Sequence, residues 1–455
     1  MSVSSPIVAK SAARARSPHR LRGMLVGIVA GACSVGFANA APTKPLLRDF
    51  MGVNGHYHFR PALYRPTCEL VRNYHPMPWD LPGDTSRLPA FPRSAQKIDG
   101  PDVVDWGQVY GSWKKAGYRI DASLQFDSIR PDRWTDLPRD LYAYGKEFAK
   151  TFGPSSALNL VESAEIGNEP VNYDDAEYRR VFEHLAKGLR AGDPKLKIIT
   201  SAAAALQPDK YSKSVKTFQG LEALYDVLNI HTYSLIEGWP TWRRVYPESP
   251  DIPYLQVIEE MAAWRDRHAP GKEIWVTEFG YDASTKPAPT SGNFSKWVDS
   301  SDVEQAQWIV RSFLLFSALP VERAYVYYYD DKDQPSFHAS SGLTRNFQPK
   351  PSFWAMAHLY QTLGDHRFSR VVSAKKDELY VYEFVNPARP KHPVWVLWSP
   401  TGSQREAGET IPVNGAPVRA ERMPLVSGEA EEVRFEVGGG TVRLPVGESP
   451  VYLFF

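Results

Sequence analysis

Cysteine is nearly absent from this 455-residue chain, which contains only Cys33 and Cys68. Cys33 falls in a segment that we expect to be removed on export, so Cys68 would remain alone. A lone cysteine excludes an intrachain disulfide in the mature chain. The fold must therefore be stabilised by a hydrophobic core, and about 415 residues are enough for one large domain and one small domain.

Acidic residues are missing from the first 40 positions, which hold five basic residues and then the apolar run GMLVGIVAGACSVGF. The leader ends in Ala38-Asn39-Ala40, a small-residue cleavage site. This order predicts a signal peptide over residues 1–40 and a secreted or periplasmic mature protein. The apolar run is too short to span a bilayer, although an uncleaved anchor and, on the weak AGAC pattern, a lipoprotein are alternatives. We expect no membrane span after leader cleavage.

The mature chain also lacks a strong excess of either charge. Without the leader it has 48 basic and 52 acidic residues, a net charge of about −4. Neither a basic patch nor an acidic block stands out in the sequence. We therefore expect no nucleic-acid partner.

Strand and helix signals alternate between residues 41 and 366. Eight apolar, β-prone segments are separated by stretches such as AEYRRVFEHLAKGLRAG, which has the helical period. This alternation predicts an α/β fold, a (β/α)8 TIM barrel over residues 41–366. A doubly wound open sheet is the rival, but GVNGHYHF follows the first strand where that fold needs a Gly-rich phosphate turn. The predicted strands are 49–54, 69–74, 118–126, 160–168, 196–204, 226–233, 273–280 and 323–330.

The pattern changes at residue 367. Short alternating segments, including ELYVYEFVN, PVWVLWSP, EEVRFEVGGG and SPVYLFF, are separated by Pro, Gly, Asn and Asp. They predict a C-terminal antiparallel β-sandwich domain over residues 367–455. The Pro-rich stretch 75–100 is predicted to be a long loop over the barrel mouth.

Two of the predicted barrel strands stop at a carboxylate. SAEIGNEPVNY places Glu169 after the fourth strand, and EIWVTEFGYDA places Glu278 at the end of the seventh. Carboxyl ends of barrel strands carry the reactive groups of barrel enzymes. Two carboxylates at one face are what a retaining glycosidase needs, one as general acid and one as nucleophile.

These motifs resemble those of glycoside hydrolase clan A, most of all family 39 and its relatives. Asn-Glu-Pro at 168–170 matches the clan's acid/base signature, and Thr-Glu-Phe-Gly at 277–280 matches its nucleophile signature. The resemblance covers the whole barrel, and the appended sandwich is similar to the accessory domain of family 39. It implies that Glu169 protonates the leaving-group oxygen and that Glu278 attacks the anomeric carbon.

The resemblance also implies several substrate-binding residues. Asn168 matches the residue that bonds the sugar 2-hydroxyl, and Arg72 matches the arginine that keeps the nucleophile ionised. His231 and Tyr233, after the sixth strand, match residues that line the −1 subsite. Each has a simpler alternative, such as a surface arginine, a turn residue or a buried core histidine.

Two further substrate contacts are less firmly indicated. His56, after the first strand, is interpreted as a sugar contact, because His56 and His58 could supply two zinc ligands but no third is evident. Clan members often carry a tryptophan platform after the eighth strand, whereas this chain has YVYYYDD, so Tyr329 is the expected platform. We expect no metal site and no cofactor.

The sequence therefore predicts a secreted retaining glycosidase that cleaves β-glycosidic bonds of a poly- or oligosaccharide, its carbohydrate partner. The main alternative is a catalytically inactive carbohydrate-binding protein on the same fold. A lyase or a phosphate-using barrel enzyme would need a metal cluster or a phosphate loop, and the sequence shows neither.

Overall fold

The computed structural model describes residues 43–99 and 102–455. The predicted signal peptide, residues 1–40, lies outside the described residues. Within the described ranges, no helix combines the length and the apolar character that crossing a membrane requires.

Eight parallel strands close into a barrel. Each strand pairs with its neighbours in chain order, the fourth pairs with the fifth, and the first closes the ring by pairing with the eighth, Met51 opposite Ala324. The predicted (β/α)8 barrel is therefore confirmed, and each observed strand falls on a predicted one. Strands one to eight are Met51–Gly55, Leu70–Pro76, Arg119–Gln125, Val161–Ile166, Lys197–Ala204, Val227–His231, Glu273–Phe279 and Arg323–Val326.

The barrel strands are buried on both faces, because helices cover the outside and side chains fill the inside. An apolar layer takes one residue from each of five strands: Leu70, Ile199, Val227, Trp275 and Tyr325. Strand one makes room for this layer with Gly52, since a Cβ there would lie 2.5 Å from the Tyr325 ring. The polar groups of the site lie above this layer, toward the carboxyl ends of the strands.

Helices follow most of the barrel strands. Two of them start with reciprocal capping boxes, Asp174 with Glu177 and Ser301 with Glu304. The connection after strand five departs from the pattern, because it has only the 3-10 turns Val215–Phe218 and Glu222–Leu224. The α-helices are Leu47–Phe50 before strand one, then Pro61–Tyr64, Met77–Asp80, Trp106–Lys115, Leu137–Phe152, Asp175–Gly192, Gln256–His268, Asp302–Ala318 and Pro351–Leu363.

The segment 75–100 is more ordered than the predicted loop. After strand two it forms the short helix Met77–Asp80 and then the strand Arg93–Asp99, which pairs with Asp102–Asp105. The buried carboxylate of Asp80 holds this segment on the barrel: it contacts His75 Nε2 at 2.7 Å and accepts hydrogen bonds from Trp106 Nε1 and the Tyr144 hydroxyl. The many prolines of this segment predict a loop, because the contacts of Asp80 with distant residues cannot be read from the local sequence.

The C-terminal region consists of two antiparallel sheets, as predicted for a β-sandwich. One prediction needs correction: EEVRFEVGGG does not form a single strand, because its two halves join different sheets. The larger sheet contains Arg367–Lys375, Leu379–Val385, Val394–Trp398, Arg419–Arg422, Glu431–Glu432 and Val451–Phe454, and the smaller contains Ala407–Pro412, Glu436–Gly438 and Thr441–Val446.

A buried arginine joins the helix Asp302–Ala318 to the sandwich. Arg311 is fully buried, and its guanidinium pairs with Glu248 from the connection after strand six. It also lies 3.3 Å from Glu448 and donates to the carbonyl of Thr401. The positive charge of Arg311 thus offsets the cost of burying the carboxylates of Glu248 and Glu448 away from solvent.

We predict that Arg311→Met lowers the free energy of unfolding by about 3–5 kcal/mol, because it leaves Glu248 and Glu448 buried without a cation. Urea denaturation followed by fluorescence measures this change. The control is Arg130→Met, which removes an exposed pair with Asp132 and should cost no more than about 1 kcal/mol. Equal losses in the two variants would contradict the prediction.

Candidate active site

Strand seven presents two consecutive side chains to the same place. In a regular strand Thr277 and Glu278 would point to opposite faces. The pairing register with strand six, however, shifts between Val276 and Glu278. Thr277 Oγ1 consequently lies 3.0 Å from His231 Nε2, while Glu278 reaches Tyr233. Such an irregularity re-aims side chains near a site.

Glu278 is surrounded by hydrogen-bond donors. Its Oε1 accepts from Arg72 Nη1 at 3.0 Å and from the Tyr74 hydroxyl at 2.6 Å. Its Oε2 accepts from the Tyr233 hydroxyl at 2.9 Å and lies 3.7 Å from His231 Nδ1. Only 7% of this side chain is exposed.

Burial by itself would raise the pKa of Glu278, because a low-dielectric site disfavours the charged form. The charges of His231 and Arg72 and the hydrogen bond from Tyr74 outweigh burial and lower the pKa to about 2. Glu278 is therefore an ionised carboxylate over the ordinary pH range.

Arg72 lies at the centre of the site, and all three nitrogens of its guanidinium donate hydrogen bonds. Nε and Nη2 form a two-point salt bridge with Glu165 at 2.6 and 2.7 Å. Nη1 donates to Asn54 Oδ1 and to Glu278. Nη2 also donates to Asn168 Oδ1 at 2.7 Å. Arg72 thus fixes a carboxylate and an amide at the mouth of the barrel.

Glu169 lies on the turn that leaves strand four. Gly167 starts this turn with a φ of +83°, a conformation that favours glycine. Asn168 and Glu169 then come to the barrel mouth, where the Glu169 side chain is 26% exposed. The two glutamates differ in environment: Glu278 is enclosed by donors, and Glu169 faces the opening.

His231 lies between the two glutamates. Its Nδ1 is 2.8 Å from Glu169 Oε1, and its Nε2 contacts Thr277, whose hydroxyl donates to Asn229 Oδ1. Burial lowers the pKa of His231, but Glu278 and Glu169 together raise it above its ordinary value. A protonated imidazole uses both ring nitrogens as donors, which fits these contacts.

Glu169, His231 and Glu278 each place one ligand-type atom within 4.8 Å of the others, and no other group of this kind occurs among the described residues. A metal ion fits poorly there. The Glu278 oxygens already accept from Arg72, Tyr74 and Tyr233, and the ion would lie beside a guanidinium.

A cavity of about 410 Å³ opens on the two glutamates. His56 and Asn168 line it, as the sequence predicts for substrate contacts. The other residues around the cavity are Tyr74, Gln125, Tyr327, Tyr328 and His338.

Tyr329 is not part of this lining. It is only 6% exposed and packs against Phe59 and Tyr64 in the core. Because the chain turns after strand eight, Tyr327 and Tyr328 reach the cavity and the third tyrosine points away. We therefore assign the aromatic lining to Tyr327 and Tyr328 rather than to Tyr329.

Six of the eight residues predicted for the site lie in direct contact around Glu278 and Glu169, and His56 lies at the cavity wall. The sequence motifs do not identify Glu165, Tyr74, Asn54 and His338. Glu165 could have been found, because a second carboxylate within the buried strand VESAEI demands a cation. Tyr74 follows Arg72 by two positions, the spacing of residues on one face of a strand.

The fold and the site geometry can be set beside known proteins. No family model and no curated protein sequence matches the chain. A family 39 glycoside hydrolase from Bacteroides cellulosilyticus WH2 matches in structure with a TM-score of 0.65 and 17% identity, over 90% of this chain and 81% of that one.

Two further solved structures share this architecture. A glucosidase from Croceicoccus marinus has a TM-score of 0.61 and 12% identity, over 90% of this chain and 96% of that chain. The catalytic domain of GH30 xylanase C from Talaromyces cellulolyticus has a TM-score of 0.57 and 12% identity, over 91% and 98%. The chain thus shares the fold of these glycoside hydrolases, as the resemblance of its motifs predicts.

Proposed function

We propose that this protein is a retaining β-glycosidase of clan A type that acts on a poly- or oligosaccharide. The observation that carries the proposal is an ionised carboxylate, Glu278, with an oxygen within 4.8 Å of a second, more exposed carboxylate, Glu169. Retaining enzymes place the two groups about 5–5.5 Å apart, and inverting enzymes about 6.5–9.5 Å. The short separation supports retention.

In the first step Glu278 attacks the anomeric carbon while Glu169 protonates the departing oxygen. The proton on Glu169 can come from His231, whose Nδ1 lies 2.8 Å from Glu169 Oε1. In the second step Glu169 takes a proton from water, which then displaces Glu278 from the sugar. The proton that Glu169 takes from water returns to His231 over the same contact, so both residues regain their starting state.

Asn168 is positioned to bind the sugar next to the bond that breaks. Its Oδ1 accepts from Arg72 Nη2, so its amide NH2 is the part that can donate to a hydroxyl. A hydrogen bond to the 2-hydroxyl strengthens in the transition state. Arg72 therefore serves both the nucleophile and the sugar contact.

We also propose that the protein is exported and that the chain divides into a barrel domain and an accessory domain. The leader at residues 1–40 supports a secreted or periplasmic location. The last barrel helix ends at Leu363 and the first sandwich strand begins at Arg367, which supports a barrel over 41–366 and an accessory domain over 367–455.

The roles of the glutamates are tested with 2,4-dinitrophenyl β-glycosides and azide. We expect Glu278→Ala to lose turnover on every substrate, because no nucleophile remains. Glu169→Ala should keep the first step, since this leaving group needs no proton, and azide should restore turnover and yield a β-glycosyl azide of retained configuration.

Glu273→Gln is the matched control, because Glu273 lies at the opposite end of strand seven and pairs with Lys197. It should turn over normally. Azide rescue of Glu278→Ala with a product of retained configuration, together with an inverted glycosyl azide from Glu169→Ala, would show that the two roles are exchanged. Binding of polysaccharide without turnover by the wild type would identify an inactive carbohydrate-binding protein instead.

The pH profile tests the cause of the low pKa of Glu278. Tyr74→Phe removes a donor at 2.6 Å from Oε1, so the ionised form is less stabilised and its pKa rises. The nucleophile must be ionised, so the acid limb of the kcat/KM profile should move upward by about one pH unit.

Tyr254→Phe is the control for this profile, because it removes a buried hydroxyl that donates to Ser312, away from the cavity. Its acid limb should coincide with that of the wild type. An unchanged limb in Tyr74→Phe would show that this hydrogen bond does not hold Glu278 ionised.

A further inference from the structure

A two-stranded turn rises from the rim of the barrel after strand six. Leu235 pairs with Arg244, and backbone bonds from Val245 to Ser234 and from Ile236 to Arg243 extend the pairing. The tip carries Trp239 and Trp242. The turn is fixed in place rather than free, because Val298 from the connection after strand seven donates to the carbonyl of Thr241.

Trp239 is 64% exposed. Exposed apolar side chains are common singly, but an exposed ring that continues into a row of others marks a binding surface. Trp242 lies behind it at 4.9 Å between ring centroids. Trp242 also has a φ of +45°, a left-handed conformation that is costly for a bulky residue and is found where function maintains it.

The row continues across three connections of the barrel rim. The Trp242 ring lies 5.0 Å from Phe294, 6.4 Å from Trp297 and 6.2 Å from Phe337. These five residues, Trp239, Trp242, Phe294, Trp297 and Phe337, are called the aromatic band. Trp297 is buried and supports the band, whereas Trp239 forms its exposed end.

The inner end of the aromatic band reaches the catalytic cavity. Phe337 lies 4.0 Å from His338, which lines the cavity. The buried guanidinium of Arg244 lies 4.8 Å from both Phe337 and Tyr233 and pairs with Asp282. Tyr233 in turn donates to Glu278. A continuous chain of side-chain contacts thus leads from Glu278 to the exposed Trp239.

We propose that the aromatic band is a binding platform for sugar residues beyond the one that reacts, so the substrate is a β-linked polysaccharide or long oligosaccharide. The proposal rests on the glycosidase function proposed above. One face of a pyranose ring carries C–H bonds and is apolar, so it can stack on an aromatic ring while its hydroxyls stay in water.

The test compares substrates of different length. Turnover is measured on aryl monoglycosides and on xylan, mannan, β-1,3-glucan and carboxymethyl cellulose, with their oligosaccharides. We expect Trp239→Ala to lower kcat/KM on the chain substrates about tenfold more than on the aryl monoglycoside, which corresponds to the loss of one stacking contact. Trp239→Phe should recover part of this loss.

Trp354→Ala is the matched control, because Trp354 lies on the helix Pro351–Leu363 and packs against Phe353, apart from the aromatic band. It should not change the ratio between long and short substrates. An equal loss by Trp239→Ala on both kinds of substrate would overturn the platform while leaving the glycosidase proposal intact.

Affinity electrophoresis in gels that contain each polysaccharide separates the two proposals. Retardation of Glu278→Gln that is lost in Glu278→Gln/Trp239→Ala supports the platform, even if the wild type turns over nothing and the proposed function fails. Equal retardation of the two variants in every gel that retards either one, or retardation of neither variant in any gel, would overturn it.

Discussion

The site depends on a single guanidinium shared by two buried carboxylates. Arg72 is fully buried and forms two short contacts with Glu165 and one with Glu278, so bulk solvent does not reach its guanidinium. Removing such a group from water costs several kcal/mol, which only well-placed partners can offset. Glu165 therefore fixes the orientation of Arg72, and this orientation decides where Glu278 and Asn168 lie.

The rest of the interior is arranged around this charge. Asp121 lies opposite Arg72 on strand three, and both of its oxygens lack a hydrogen-bond partner among the described residues. Burial, reinforced by the charge of Glu165, raises the pKa of Asp121, which favours its neutral form. His231 faces Glu169 and Glu278, which raise its pKa. Glu278 can thus stay ionised without leaving the interior strongly charged.

Much of this architecture could be predicted from the sequence, because it follows from local patterns of apolar and polar residues. All eight barrel strands follow from apolar runs, and Glu169 and Glu278 follow from their positions at strand ends. The pattern VESAEI indicates that the buried carboxylate of Glu165 needs a cation, but no local pattern shows that this cation is Arg72, 93 residues away. Tyr329 was expected at the site because three tyrosines in a row look equivalent until the turn after strand eight separates them. The prolines of the segment 75–100 predict a loop, and no local pattern shows that Asp80 anchors this segment by bonding to distant helices.

We propose that Glu278, held ionised by Arg72, becomes covalently attached to the sugar during turnover. Mass spectrometry of the protein after reaction with a panel of activated 2-deoxy-2-fluoro-β-glycosides tests it most directly, because the fluorine slows the second step and lets the glycosyl-enzyme accumulate. We predict one added glycosyl group per chain, located by proteolysis on the peptide that contains Glu278. A label on Glu169, or turnover to an inverted sugar with no label on the protein, would contradict it.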